Sequence, residues 1–342
     1  MGSEMCIRDS DGGQATAAQL NVPRAIAFDA NGNLFVADAN NNRVRKIDRS
    51  TGIITTVVGN GTGGNSGDGG QATSAAINFP AGIVFNSSGE MFITDSNNGA
   101  IRRINTSGVI ETIATGFNLP QQLAIDASNN LYVADFLNWQ IKKLDASNSF
   151  ASSVIAGTGT SGYSGDGGLA TAAQISLGQG CKLIFDKSNN IYFADVGNHA
   201  IRRIDAGTGI MTTIAGTGMS GYSGDDGLAT QATFFLPSAI AFNASGEILI
   251  TDSNNNVIRL IGCPPECELT INTQPTNALI CDGDDVSFTV EASSGATGDL
   301  TYQWQKVTPS TSTNWVNIGR VGTPGFPNQN QVSDFYLSLI HI

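Results

Sequence analysis

Residues 161–168 read SGYSGDGG, and this stretch returns along the chain. Copies stand at 220–227 (SGYSGDDG) and 64–70 (GNSGDGG), with a shorter one at 11–13 (DGG). A short Ala/Thr-rich connector, two apolar runs and an Ile-Arg-Arg-like segment follow each copy. A unit repeated along a chain indicates a modular architecture in which each copy forms one supersecondary element. The repeat, rather than any single residue, therefore decides the fold.

Each repeat contains short runs rich in Val, Ile, Phe and Thr, separated by Gly, Asn and Asp turns. This pattern predicts consecutive antiparallel hairpins. The first two runs are apolar throughout, so both of their faces should be covered, whereas the third alternates Ile with Arg or Lys and should meet water. The predicted strands are 25–29, 33–38, 43–48 and 53–59; 82–86, 90–95, 100–105 and 109–114; 122–126, 130–135, 140–145 and 152–157; 182–186, 190–195, 200–205 and 210–216; and 239–243, 247–252 and 257–262.

Four-stranded units with apolar interiors, repeated around an axis, describe the blades of a β-propeller. The motifs P-x-x-I-A-F-D, G-N-L-F-V-A-D and N-N-x-I-R-R-I-D resemble the NHL repeat over residues 11–262. The predicted fold class is therefore all-β, with a monomeric propeller of five visible NHL-type blades. The fifth repeat has no fourth run, and we expect a segment from outside this sequence to supply that strand, with or without a sixth blade.

Acidic and basic residues recur at fixed places in the repeats. Aspartates end the second runs, at Asp38, Asp95, Asp135, Asp195 and Asp252. Basic pairs occupy the third runs, at Arg45/Lys46, Arg102/Arg103, Lys142/Lys143 and Arg202/Arg203. We expect the basic residues to pair with the aspartates and to solvate the rim. A stripe that reads RNA, as in some animal NHL proteins, is the alternative, and the net charge of −12 disfavours nucleic acid as a partner.

The composition changes after the repeats. CPPEC at 263–267 ends them, and we interpret residues 263–268 as a linker. The predicted strands 269–273, 285–292, 300–306 and 314–318, with Trp304 as the core tryptophan, resemble an incomplete immunoglobulin-like β-sandwich at 269–336, of the type found in bacterial surface proteins. Cys263, Cys267 and Cys281 favour an extracellular disulfide framework, with reduced thiols as the alternative.

The two ends of the sequence do not read as protein. MCIRD at 5–9 and LSLIHI at 337–342 can be encoded by opposite strands of one oligonucleotide, which is typical of a sequencing adapter. Residues 1–10 and 337–342 are therefore set aside as adapter-derived. We expect both native termini to lie beyond the sequence. The domain architecture predicts an exported bacterial protein, extracellular or at the cell surface; the sensor domain of a longer receptor is an alternative.

Catalytic chemistry has little support in the residues. His199 is the one histidine outside the adapter-derived ends, so neither a Ser/His/Asp set nor a zinc site of several histidines, as in NHL-like peptide-amidating lyases, can be assembled. Cys181 lies in a predicted strand and is interpreted as a core residue. The G-x-G-x-x-G matches at 59–64, 157–162 and 216–221 open no helix, so they predict inter-blade connections rather than dinucleotide sites. We predict no enzyme activity, cofactor or metal; a metal-dependent propeller lactonase or lyase is the alternative.

One repeat departs from the others. Asp95 and Asp135 are 40 residues apart, whereas the other neighbouring aspartates are 57, 60 and 57 apart, because the glycine loop is missing after repeat two. Repeat three also carries Phe136, Leu137 and Trp139 where the other copies have small or polar residues. A missing loop beside aromatic side chains predicts a binding notch, and repeat drift with local repacking is the alternative.

The predicted function is that of a non-catalytic recognition or adhesion module for an unidentified protein or glycan. No run is long enough for a membrane helix. The candidate ligand surface joins the repeat-three residues to residues of two glycine loops: Phe136, Leu137, Trp139, Tyr163, Asp166, Tyr222 and Asp225.

Overall fold

The computed structural model describes residues 10–262, 270–273, 291–293, 302–307 and 315–321. The chain divides into two compact units, Met1–Ile261 and Gly262–Ile342. In the first unit, four four-stranded antiparallel sheets and one three-stranded sheet follow one another, each with its strands in chain order. These sheets are the five blades of a β-propeller. The all-β propeller prediction is therefore confirmed.

The strands of the blades follow the predicted runs to within a few residues. Blade 1 contains β1 (Pro23–Phe28), β2 (Leu34–Asp38), β3 (Arg43–Ile47) and β4 (Ile54–Val58). Blade 2 contains β5 (Pro80–Phe85), β6 (Met91–Asp95), β7 (Ala100–Ile104) and β8 (Ile110–Thr115). Blade 3 contains β9 (Pro120–Ile125), β10 (Leu131–Asp135), β11 (Gln140–Asp145) and β12 (Ala151–Ala156). Blade 4 contains β13 (Leu183–Phe185), β14 (Ile191–Asp195), β15 (Ala200–Ile204) and β16 (Met211–Ala215). Blade 5 contains β17 (Pro237–Phe242), β18 (Ile248–Asp252) and β19 (Val257–Ile261).

The first strands of successive blades are neighbours, in the order β1, β5, β9, β13 and β17. At Gly82 in β5, a Cβ atom would come 2.7 Å from the carbonyl oxygen of Gln121, so glycine permits the close approach of β5 and β9. Further out, aromatic rings meet across each blade interface at centroid distances of 4.8 to 5.7 Å. These pairs are Phe35 with Phe85, Phe92 with Phe150, Tyr132 with Phe185 and Tyr192 with Phe242. The core thus lies between the blades.

Blade 4 begins irregularly. Its first strand, β13, has three residues, and the preceding segment turns at Gly180, which has a φ of 82°. Cys181 in this segment is fully buried, and its thiol donates a hydrogen bond of 3.2 Å to the carbonyl oxygen of Ala194. Burial in the core raises the pKa of the Cys181 thiol. The prediction that Cys181 is a core residue is confirmed.

The prediction that the first two strands are covered on both faces holds for β6, whose five residues are all buried, but it is wrong for β1. Ile26 and Phe28 of β1 are 66% and 63% exposed, while the alternating Ala25 and Ala27 pack toward blade 2. Blade 5 also exposes apolar side chains, notably Ile258 at 70%. Among the described residues, blades 2, 3 and 4 have a neighbouring blade on each face, whereas one face of blade 1 and one face of blade 5 are exposed.

In the second unit, β20 (Thr270–Thr273) pairs with β21 (Glu291–Ser293), and β22 (Tyr302–Val307) pairs with β23 (Trp315–Val321), both antiparallel. Trp304 lies on β22, opposite Gly319. Two such pairs do not establish an immunoglobulin-like sandwich, which stays a prediction. The linker cysteines, most of the predicted strand 285–292 and the adapter-derived ends, apart from Ser10, lie outside the described residues. Within the described part of the chain, no helix is long and apolar enough to cross a membrane.

Candidate functional site

One end of the propeller carries both the links between blades and the turns that join the second strand of each blade to the third. This arrangement follows from four antiparallel strands in chain order, and we call this end the link face. Each of these turns is a short 3₁₀ turn that closes on a residue in the left-handed region, with φ between 45° and 61°. The closing residues are Asn42, Gly99, Trp139, His199 and Asn256.

In four blades, the third strand carries a buried arginine close to this turn. Arg102 and Arg202 are fully buried and Arg259 is 9% exposed. Arg102 and Arg202 each lie 3.1 Å from the aspartate that ends the second strand, Asp95 and Asp195. The expected pairing with these aspartates is therefore present, and Arg45 pairs likewise with Asp38 at 3.6 Å. The expected place at a solvated rim is wrong for Arg45, Arg102 and Arg202, because these cations lie inside the blade with their carboxylates.

Burial raises the pKa of both Asp95 and Asp195, while hydrogen bonds from neighbouring amides and the arginine charges act in the opposite direction. In blade 4, Asn198 Nδ2 donates to Asp195 Oδ2 at 2.9 Å. A buried charge is tolerated only when it is paired and hydrogen-bonded, so each Arg–Asp pair needs its surrounding donors and acceptors.

The second carboxylate on each arginine comes from the glycine loop that precedes the blade. Asp11, Asp68, Asp166 and Asp225 lie 2.6 to 3.0 Å from Arg45, Arg102, Arg202 and Arg259. Glycines at positive φ stand directly before these loop carboxylates in three loops, at Gly67, Gly165 and Gly224. The prediction that the loops are inter-blade connections needing positive φ is confirmed. Each loop is fastened to the blade that follows it.

Two backbone contacts complete the fastening in blades 2, 4 and 5. The turn asparagines donate to loop glycine carbonyls at 2.6 to 2.8 Å: Asn98 to Gly64, Asn198 to Gly162 and Asn255 to Gly221. The arginines donate to loop serine carbonyls at 2.8 to 3.3 Å: Arg102 to Ser66, Arg202 to Ser164 and Arg259 to Ser223. The loop is thus held by a carboxylate and two carbonyls.

Four residues of the predicted ligand surface take part in this fastening. Asp166 and Asp225 are the loop carboxylates of blades 4 and 5. Tyr163 and Tyr222 lie over Arg202 and Arg259, with ring centroids 5.1 and 5.4 Å from the guanidinium carbons. Sequence reasoning missed this role because the partner arginine lies more than thirty residues away. The structure gives these four residues an anchoring role, which leaves the residues of blade 3 to form the candidate site.

Blade 3 has no glycine loop, and its link from β8 to β9 consists of residues 116–119. Lys142 takes the arginine position, opposite Val133 as Arg202 is opposite Phe193. Its Nζ lies 2.6 Å from Asp135 Oδ2, and its side chain is 15% exposed. The Phe117 ring lies 5.1 Å from Nζ, as the Phe234 ring lies 4.5 Å from the guanidinium carbon of Arg259 in blade 5.

Asn138 keeps the place of the turn asparagine and donates to Asp135 at 2.8 Å. Within the described residues, neither a second carboxylate nor a loop carbonyl contacts Asn138 or Lys142. The region formed by Phe117, Phe136, Leu137, Asn138, Trp139 and Lys142 is called the blade 3 notch.

The aromatic turn of blade 3 is only partly exposed. Leu137 is 38% exposed, whereas Phe136 and Trp139 are half-buried against the core. Local repacking therefore accounts for part of each aromatic side chain. Trp139 closes the turn at a φ of 45°, which is unfavourable for a bulky residue, as it is at Phe79, Leu119 and Leu236.

At the same position in other blades, Asn42 Oδ1 accepts a hydrogen bond from the amide of Phe79, and His199 Nδ1 accepts one from the amide of Leu236. The indole of Trp139 has no acceptor and cannot do this. A tryptophan is thus held in a strained turn without the hydrogen bond that Asn42 and His199 accept.

The remaining titratable candidate, His199, also has a structural role. Its ring accepts the hydrogen bond from Leu236 at 3.1 Å and stacks edge-on against Phe235. Burial lowers the pKa of His199. Among the described residues, no group of three or more His, Cys, Asp or Glu side chains could hold a metal ion.

Comparisons with known proteins agree with the repeat pattern. The family model described as Teneurin NHL domain matches residues 2–64 and 60–118. The chain is 28% identical over 267 residues to Protein SUPPRESSOR OF QUENCHING 1, chloroplastic, of Arabidopsis thaliana, covering 71% of this chain and 25% of that protein. It is 25% identical over 297 residues to human NHL repeat-containing protein 2, covering 71% of this chain and 39% of that protein.

Among solved structures, an auxiliary nutrient binding protein from Bacteroides thetaiotaomicron superposes with a TM-score of 0.57 at 20% identity, covering 72% of this chain and 60% of that chain. The likeness shows a shared fold. The chain spans less than two thirds of each of these proteins.

Proposed function

We propose that this NHL-repeat β-propeller is a non-catalytic recognition module that binds a protein or glycan ligand at the blade 3 notch. The observation that carries the proposal is the contrast at one repeat position. Four blades close the turn with Asn, Gly, His and Asn, whereas blade 3 closes it with Trp139 at a φ of 45°. Strain that persists in a structure is found most often at binding and active sites, and tryptophan is enriched in binding hot spots.

The position of the notch supports the same proposal. A glycine loop covers the corresponding region of blades 2, 4 and 5, and the short link 116–119 leaves it uncovered in blade 3. Rigid blades with a variable surface form a binding scaffold, although the fold does not name the ligand. One protein that shares the fold is described as nutrient binding. We extend the proposal to an exported protein that acts outside the cell.

The test replaces the blade 3 turn with the turn of blade 5. The variant Phe136→Ser, Leu137→Asn, Trp139→Asn copies residues 253–256 and so uses a turn that this protein already forms. Wild type and variant are screened against a glycan array and a displayed random-peptide library. We expect wild type to enrich ligands that the variant does not retain. Ligands retained by the variant, or none enriched by wild type, would contradict the notch.

Two controls complete the design. Tyr222→Ala removes another exposed aromatic on the link face, 57% exposed, and should leave capture unchanged; a loss there would move the ligand surface to the glycine loops. Turnover of a lactone panel with Ca²⁺, Mg²⁺ or Zn²⁺ would contradict a non-catalytic role. For export, the complete gene should encode a signal peptide, and an upstream kinase or enzyme domain would favour a sensor instead.

A further inference from the structure

We propose that the blade 3 notch binds the carboxylate of an acidic, glycine-containing peptide, in the way that blades 2, 4 and 5 bind their own loops. This inference rests on the proposed recognition function and names the chemistry of its ligand. The notch then corresponds to the site that holds the glycine loop in the other blades, and a peptide segment of another protein binds in place of that loop.

The occupied blades show what the site accepts. In blade 4, Arg202 pairs with the Asp166 carboxylate at 3.0 Å and donates to the Ser164 carbonyl at 3.0 Å, while Asn198 donates to the Gly162 carbonyl at 2.6 Å. Blade 2 repeats the set with Asp68, Ser66 and Gly64, and blade 5 with Asp225, Ser223 and Gly221. Three independent copies therefore bind the same G-x-S-x-D pattern of peptide groups.

Blade 3 keeps the donors of this site. Lys142 lies at the same register as the arginines, and Asn138 occupies the turn position of Asn98, Asn198 and Asn255. Phe117 provides the ring beside the cation, at 5.1 Å, as Phe234 does for Arg259 in blade 5, at 4.5 Å. Cation, asparagine and ring are thus present without the loop that elsewhere contacts them.

The charges leave room for an anion. In blades 1, 2, 4 and 5 one arginine faces two carboxylates, the strand-ending aspartate and the loop aspartate. In blade 3 the contacts of Lys142 give one, Asp135. The ammonium has three donors, and solvent reaches a side chain that is 15% exposed, so a ligand carboxylate can add to the pair.

The backbone around the carboxylate favours glycine on the ligand. The residue before the loop aspartate is Gly67, Gly165 or Gly224, at φ values of 100°, 92° and 89°. Residues other than glycine rarely adopt such values, so a peptide that copies this path needs glycine beside its acid. Because the occupied sites bind two peptide carbonyls as well as the acid, a peptide is favoured over an acidic glycan.

The experiment uses the full chain and the peptide acetyl-GYSGDGGLA-amide, the sequence of residues 162–170, with a fluorophore for anisotropy. The matched control peptide has asparagine in place of the aspartate. We expect the acidic peptide to bind about tenfold more tightly than the control, since a charge-assisted contact is replaced by a neutral one. Binding should weaken with added salt. Equal affinity of the two peptides would overturn the inference.

Two protein variants assign the binding to the notch. Lys142→Arg recreates the cation of the other blades and should retain the acidic peptide, while Lys142→Met should reduce its affinity to that of the control peptide. Circular dichroism measures whether both variants are folded, and loss of binding in folded Lys142→Arg would contradict the assignment even if Lys142→Met unfolds. Unchanged binding to folded Lys142→Met, or loss in folded Lys142→Arg, contradicts the assignment.

The outcomes separate this inference from the proposed function. Library ligands that depend on the aromatic turn, without binding of the acidic peptide, would overturn the ligand chemistry and leave the recognition function standing. Turn-dependent capture of acidic glycans alone would do the same. Absence of any turn-dependent ligand would contradict both.

Discussion

Blades 3 and 4 are neighbours with the same strand order, and they treat the same site in opposite ways. Blade 4 places Arg202 between a buried aspartate and a loop aspartate and covers the site with a glycine loop. Blade 3 has Lys142, one aspartate and no loop. A repeat position that is structural in one blade can therefore become available for binding in the next when its covering segment is removed.

The largest expected effect comes from removing the cation in each blade. Arg202→Met leaves the fully buried Asp195 unpaired, and we expect the free energy of unfolding to fall by about 3–5 kcal/mol. Lys142→Met should lower the free energy of unfolding by about 1–2 kcal/mol less than Arg202→Met does, because the Lys142 side chain is 15% exposed whereas Arg202 is buried. Urea denaturation followed by circular dichroism measures both.

The matched controls for this comparison are Arg203→Met and Lys143→Met, which remove the outer, half-buried residue of each basic pair. These substitutions should change stability by about 0.5 kcal/mol or less. An equal or larger cost in blade 3 than in blade 4 would contradict the distinction between a covered and an open site.

The second prediction closes the notch. Replacing residues 116–119 with residues 216–236, together with Lys142→Arg, gives blade 3 a covering loop. The tethered loop has a millimolar effective concentration, so we expect the affinity for the acidic peptide to fall by about tenfold or more. The same graft with Asp225→Asn in the inserted copy should recover part of the affinity. Full binding by the folded graft would show that the peptide sits elsewhere.

The third prediction exchanges the turn residues of two blades. Asn256→Trp puts an indole at a φ of 57° with no buried surface to gain, so it should destabilise the protein by about 1–3 kcal/mol. Trp139→Asn relieves the strain and gives up packing, and we expect stability within about 1 kcal/mol of wild type. Thermal unfolding measures both, and ligand capture should be impaired in Trp139→Asn alone. A large loss of stability in Trp139→Asn would make Trp139 a packing residue.

The smallest effect concerns the end of the propeller opposite the link face, where blades 3 and 4 should agree. Hydrogen bonds from Ser147 lower the pKa of Asp145, and hydrogen bonds from Thr208 lower that of Asp205, below the ordinary 3.8. A carboxyl group whose pKa is lower in the folded state than in the unfolded state stabilises the fold above the unfolded pKa. This contribution is lost as the pH falls through the folded pKa. Asp145→Asn and Asp205→Asn should each cost a little stability at pH 6, and the cost should shrink below about pH 4. Denaturant midpoints measured across this pH range compare the two variants. A different pH dependence for Asp145→Asn and Asp205→Asn would show that blades 3 and 4 also differ at this end.

Much of the fold could be predicted because its signals are local. The apolar runs and Asn/Gly turns located every blade strand, and the Asp95 to Asp135 spacing of 40 residues revealed the missing glycine loop. The prediction was wrong where the covering of a face depends on a distant neighbour, as at Ile26.

The site was harder to predict because its contacts join distant residues. Arg202 and Asp166 are 36 positions apart, and alternation along β15 alone indicated a solvated side chain. The missing signal was present in the repeats: each glycine-loop aspartate is followed by a blade whose third strand carries arginine, and the blade that lacks the loop carries lysine. Aligning each glycine loop with the blade that follows it would have linked the loop aspartate to the arginine of the third strand.

The fastening of each loop to the blade after it also defines what can be copied during gene duplication. A duplicated segment cut at the blade boundaries would deliver an arginine without its second carboxylate and a loop without its cation. A segment running from one glycine loop to the start of the next carries a matched set of charges. The unit that carries a complete set of charges is therefore offset from the blade. In this chain, the blade without a glycine loop carries a lysine where the other blades carry an arginine.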